Sequence, residues 1–192
     1  MRGLNNMLPE NALLIIIDIQ AGFDDPKWGA RNNPEAESNV RRLLGTWRKS
    51  GLPVVHTQHL STEEASPLRP GQPGCEFKSE ARPESGEPVF GKKVNSAFIG
   101  TELESYLRNQ GYDTLVIAGL TTNHCVSTTA RMAGNLGFKT YVVSDATATF
   151  ERKDHEGRHY SAEEVHAISL ANLHEEFATI LSTETVIESV RP

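Results

Sequence analysis

Apolar positions in this chain fall in short runs that alternate with amphipathic segments. Ala12-Leu-Leu-Ile-Ile-Ile-Asp18 is apolar throughout until its closing carboxylate. That pattern predicts a strand covered on both faces of a parallel sheet. Glu35 to Ser50 carries Val40, Leu43, Leu44 and Trp47 at helical spacing and stops at Gly51, so it reads as a helix with a glycine C-terminus. Pro53 to Thr57 and Pro88 to Phe90 predict the second and third strands. Thr101 to Gln110 predicts a helix opened by a Thr101–Glu104 capping box and ended by Gly111. Thr114 to Ala118 predicts strand four, Cys125 to Leu136 a helix closed by Gly137, and Thr140 to Ser144 strand five. Ser161, with Glu164 behind it, opens a long helix to about Glu176. Phe177 to Leu181 predicts strand six, and a short final helix begins near Thr183.

Strands alternating with helices predict a parallel sheet with helices on both faces, in a single domain covering residues 1–192. Ligands of such sheets bind beyond the carboxyl ends of the strands, where strand order reverses. Asp18 ends strand one, Lys92 follows strand three and Cys125 follows strand four. All three are therefore expected at one sheet edge. Between Leu60 and Gly86, prolines, glycines and charges dominate, and a loop of that length predicts a cover over a functional site.

Composition narrows the function classes. The 192 residues carry a net charge of −6 and no basic stripe, which argues against a nucleic-acid or anionic-membrane partner. No apolar run approaches a membrane span, and no signal pattern precedes Ala12, so a cytoplasmic location is expected. Cys75 and Cys125 are the two cysteines, too few for a disulfide framework and without metal-finger spacing. Cys75 lies in the Pro/Gly-rich loop and reads as a surface residue.

Cys125 stands where a buried strand passes into a helix. A thiol there faces unpaired backbone N–H groups and the positive end of the helix dipole, which favour thiolate and offer donors to an oxyanion. A cysteine so placed is nonetheless more often inert than reactive, and a base and a cation must support it. Asp18 reads either as a cap or metal ligand, or as a general base beside a lysine. Lys92 reads as a surface charge, or as the cation that keeps Asp18 ionised and stabilises a thiolate. Lys93 competes with it on charge alone. His56 and His59 make a poor metal pair, because strand residues three apart point to opposite faces. His155 to His159 reads as a solvated loop. The segment Gly119 to His124 matches neither a phosphate loop nor a dinucleotide fingerprint.

Four segments together resemble the isochorismatase-like cysteine hydrolases: IIIDIQAGF at Ile15 to Phe23, GKKVNSAFIGTELE at Gly91 to Glu104, LVIAGLTTNHCVSTTARMAGNLGF at Leu115 to Phe138, and VVSDATATF at Val142 to Phe150. The resemblance implies a three-layer α/β/α domain with a six-stranded parallel sheet of Rossmann-like topology. It implies an Asp18–Lys92–Cys125 triad, choosing Lys92 over Lys93 by its spacing from Ser96, and a cis peptide before Thr121. It also implies a homo-oligomer, a dimer or tetramer. Nicotinamidases of this family hold a metal with an Asp-x-His pair after strand two, where this chain has Gln58-His59, so no metal and no organic cofactor is expected.

The activity implied is hydrolysis of an amide, ureido or carbamoyl C–N bond of a small molecule through a thioester. The N–H groups of Thr121 and Cys125 are the expected oxyanion donors. Vinyl-ether hydrolysis of the isochorismatase type is the alternative, disfavoured because those enzymes lack the cysteine. A redox-sensing or non-catalytic protein on the same scaffold is a further alternative. Phe23 and Trp28 are expected to wall the pocket, with packing at an oligomer interface the equal alternative for Trp28. Gln20 is expected to make a polar contact, and Asn123 and His124 either to read the substrate or to cap the helix.

Overall fold

Leu13–Ile17 forms strand β1 with all five side chains buried; only a central strand with helices above and below can bury so many consecutive apolar residues. The computed structural model describes residues 8–190. The further strands of the main sheet are β2 (Val54–His59), β3 (Val89–Lys92), β4 (Thr114–Leu120), β5 (Lys139–Ala148) and β8 (Thr179–Leu181). They run parallel in the order β3-β2-β1-β4-β5-β8. Helices α1 (Ala36–Lys49), α2 (Leu103–Gln110), α3 (Ser127–Asn135), α4 (Ala162–Ala171) and α5 (Thr183–Val190) supply the covering layers. A short hairpin, β6 (Arg152–Lys153) with β7 (His159–Tyr160), stands apart from the sheet.

The alternating side chains of β1 divide the core in two. Leu14 and Ile16 pack with α1 and α5 through Val40, Leu44, Trp47 and Val186. Leu13, Ile15 and Ile17 pack with α2 and α3 through Leu103, Leu107, Ala130 and Ala133. Strand order reverses between β1 and β4, so the crevice expected of such a sheet opens beyond Ile17 and Leu120.

The backbone turns sharply at both edges of that crevice. Asp18 adopts a left-handed conformation (φ 49°), which aspartate tolerates better than most residues. Gly119 has φ 130° within a register shift between β4 and β5. A Cβ at Gly119 would stand 2.1 Å from the Ile17 carbonyl oxygen, so the glycine is a requirement of close strand approach.

Several element boundaries differ from the sequence reading. Helix α2 begins at Leu103 with Glu102 rather than Thr101 at its N-cap, so Thr101 and Glu104 do not form the capping box; the Thr101 hydroxyl donates to the Ala97 carbonyl and accepts from Leu103 N–H. The Ser161–Glu164 capping box does form, but α4 ends at Ala171 rather than near Glu176. The segment read as a solvated loop at His155 to His159 is the exposed turn of the β6–β7 hairpin and the first residue of β7. No helix among the described residues is long and apolar enough to cross a membrane.

Candidate active site

Asp18, Lys92 and Cys125 meet at the crevice. The ends of β1 and β3 deliver the acid and the amine, and a single π-helical turn, Thr122–Val126, carries the cysteine from β4 into α3. The Lys92 Nζ lies 2.6 Å from Asp18 Oδ2 and donates to Cys125 Sγ at 3.3 Å. Both charged side chains are fully buried. Thr57 Oγ1 donates to Asp18 Oδ1 at 2.6 Å. Beyond its ion pair with Lys92, Asp18 Oδ2 accepts no hydrogen bond among the described residues, and a carboxylate oxygen of Asp18 lies within 4.8 Å of the sulfur. Lys93 is exposed and takes no part.

One electrostatic expectation reverses. Burial, and then the Asp18 charge, push the Cys125 thiol up to about 12 against the pull of Lys92. Burial works against the Lys92 ammonium too, but the charges of Asp18 and Cys125 outweigh it and raise its pKa. The resting site is therefore a carboxylate–ammonium pair beside a neutral thiol. The helix terminus does not overcome desolvation at Cys125.

His59 and Thr57 project from the same face of β2, two residues apart. His59 Nδ1 lies 3.3 Å from the Lys92 amine, and burial and the Lys92 charge lower its pKa. His56 points the other way and contacts Glu87 at 2.8 Å, as strand alternation requires. Asp18, His59 and Cys125 offer ligand atoms within 4.8 Å of one another. The Lys92 ammonium stands among them, so a dication there would face a fixed positive charge at bonding distance.

A small cleft of about 130 Å³ opens over the sulfur. Phe23, Trp28 and Leu68 give it apolar walls, and His59, Asn95, Thr121, His124 and Arg152 its polar ones. Phe23, Trp28 and Phe150 form one aromatic cluster with centroids 5.7–6.4 Å apart. Thr121 follows a cis peptide bond after Leu120. Leu68 comes from the long loop, which is pinned as a fixed wall: Ala21 N–H donates to Glu76 O, and Lys78 N–H to Ile19 O.

Two residues expected to touch substrate do not line this cleft. Gln20 is fully buried behind it, and its amide is spent on the backbone of His59 and Cys75. Asn123 turns its carbonyl to the Thr149 hydroxyl, tying the π-turn to the end of β5. Cys75 is buried rather than on the surface, against the Gln20 and Gln58 amides. The residues that sequence reasoning missed are Thr57, Leu68, Asn95 and Arg152. Only Thr57 carried a signal, since it shares a strand face with His59.

Residues 12–185 match the isochorismatase domain. The chain is 49% identical over 180 residues to the isochorismatase family protein YrdC of Bacillus subtilis, covering 94% of this chain and 96% of that one. It is 31% identical over 159 residues to a maleamate amidohydrolase of Pseudomonas putida, covering 74% and 75%. A crystal structure of an isochorismatase-family protein from Chromobacterium violaceum superposes with a TM-score of 0.95 at 46% identity, covering 99% and 98%. Sheet order, crevice and sequence agree, and this chain belongs to the isochorismatase family of hydrolases.

Proposed function

We propose that this hydrolase cleaves a C–N bond of a small amide, ureido or carbamoyl compound, with Cys125 as nucleophile. One observation carries the reading: a buried ammonium touches both a carboxylate and the cysteine sulfur at the floor of a cleft. A triad of base, cation and thiol is what nucleophilic acyl transfer needs. The family relative named as an amidohydrolase supports the same class of reaction.

Burial and the Asp18 charge raise the thiol's pKa, which favours proton transfer in step with attack over a standing thiolate. As substrate enters, Asp18 Oδ2 takes the thiol proton while sulfur bonds to the carbonyl carbon. Lys92 stays protonated and offsets the charge moving between the two. The N–H groups of Thr121 and Cys125 stabilise the oxyanion, a contribution of about 2.7–4 kcal/mol per donor in comparable sites. Asp18 returns the proton to the departing nitrogen, and the amine leaves a thioester. Water then attacks the thioester, Asp18 accepts its proton, and the acid departs as the thiol re-forms.

Ammonia release from a panel of small amides tests this reading. Cys125→Ala abolishes release, and intact-mass spectrometry of the wild type with a slow substrate finds one acyl group on Cys125. Turnover that survives Cys125→Ala, or pyruvate release from isochorismate without any amidase activity, overturns it.

A further inference from the structure

Among the described residues, Arg152 is the one permanently charged side chain lining the cleft over Cys125, and none of them gives it a counter-ion. Its Nε is buried and lacks a hydrogen-bond partner. No carboxylate among the described residues lies within ion-pair distance of its guanidinium. Its polar contact is Nη2 to His124 Nδ1 at 3.4 Å, a neutral acceptor, because burial and then Arg152 itself lower the His124 pKa. By contrast Arg31, Arg41, Arg42, Arg48 and Arg108 each meet a glutamate. A half-buried guanidinium with an orphaned donor is costly unless an anion completes it.

The surroundings favour the same sign. Arg152 and Trp28 also border an outer basin that Lys27 and Lys153 edge, and its carboxylate, Glu151, is engaged by His159 at 2.7 Å. This is a cationic approach on a chain of net charge −6, and such a local field draws anions toward a cleft. Phe23, Trp28 and Leu68 offer the cleft no acceptor of their own.

From the unpaired guanidinium in the cleft, we infer that Arg152 reads a carboxylate on the substrate, so that the preferred substrate is a short amide bearing a carboxylate away from the scissile bond. This deepens, and rests on, the C–N hydrolase reading given above. The guanidinium fork binds a planar carboxylate through two donors, and a cleft of about 130 Å³ suits a compact acid rather than a bulkier phosphate ester. The acyl chain would lie against the aromatic wall, with the amide carbonyl over Cys125.

The test compares succinamate with the neutral diamide succinamide. Wild-type kcat/KM favours succinamate by about 100-fold, in the range for a charge left without its partner. In Arg152→Met the ratio falls to near one, and in Arg152→Lys it recovers in part. Succinate is then added to Cys125→Ala, in which no chemistry occurs. It raises the melting temperature by a few degrees, and the shift vanishes in Cys125→Ala/Arg152→Met. A ratio that survives Arg152→Met, a wild type with no preference, or the absence of a succinate shift overturns the inference. Turnover persisting in Cys125→Ala strikes instead at the hydrolytic reading, and the succinate shift still decides the role of Arg152.

Discussion

The Thr57 hydroxyl donates to Asp18 Oδ1 at 2.6 Å while Lys92 holds Oδ2, so the two carboxylate oxygens are fixed by different partners. Thr57 thus fixes the orientation of the carboxylate beside the sulfur. Thr57→Val keeps the shape and removes the donor. It should lower kcat about 10-fold with little change in KM, and destabilise the fold by about 1–3 kcal/mol, the cost of an unsatisfied buried acceptor. Thr57→Ser should restore most of the rate. Steady-state kinetics and urea unfolding check both outcomes.

The buried Asp18–Lys92 pair predicts strong non-additivity. Lys92→Met alone leaves a carboxylate in the core without its cation and should cost about 3–5 kcal/mol of stability. Asp18→Asn alone strands the ammonium and should cost a similar amount. The double variant removes both charges and should be more stable than the sum of the two single losses implies. All three should be inactive. Additive losses in denaturant titration would show that the pair contributes nothing as a pair.

Behind Cys125, His166 Nδ1 contacts the Thr122 hydroxyl at 2.9 Å, at the first residue of the π-turn that carries the cysteine. Burial holds this imidazole below its ordinary pKa, so it is neutral at pH 7 and serves as a brace. His166→Ala should lower kcat while leaving KM within about twofold, with the acid limb of the pH profile moved. His166→Asn, whose amide can reach the same hydroxyl, should recover part of the rate.

Acid sensitivity should be traceable to Glu37. Burial alone would raise its pKa, but Arg31 and then Lys78 outweigh it and hold the carboxyl down to about 2. The depressed value means that Glu37 contributes stability above its unfolded value near 4.5, and that this is lost as pH falls from there toward 2. Glu37→Gln should melt lower than wild type at pH 7 and show a flatter decline between pH 4.5 and pH 2. Equal slopes in thermal melts of the two proteins would contradict this assignment.

Gly119 offers a steric test. Its φ of 130° and the 2.1 Å approach of a hypothetical Cβ to Ile17 O make Gly119→Ala a backbone clash that no side-chain motion relieves. The loss should be at least about 3 kcal/mol, read as a fall in the denaturation midpoint. A midpoint unchanged from wild type would mean that β1 and β4 can separate freely.

Much of this site can be read from the chain because its parts sit at the ends of buried strands. Asp18 is conspicuous as a carboxylate closing five apolar residues, and Cys125 as a thiol following seven buried ones. Arg152 and Asn95 lie on a hairpin and a loop, where no periodicity constrains the side chain, so only tertiary structure brings them over the sulfur. Gln20 misled because a polar residue after a strand reads as a ligand contact, whereas here it satisfies the backbone of a neighbouring loop. Thr101 misled because the helix starts one residue later than its motif implies, with Glu102 at the N-cap. At Cys125 the position was legible but its acidity was not, since desolvation depends on everything packed around it.

The ordering of the strands has a bearing on how the protein acquires activity. Acid, amine and sulfur arrive from β1, β3 and β4, and β2 lies between the first two. No contiguous stretch shorter than Asp18 to Cys125 contains all three, and distant pairings of this kind assemble late and slowly. Regain of turnover after dilution from denaturant should therefore lag behind helix formation, and catalysis becomes a sensitive reporter that the last parallel pairing has closed.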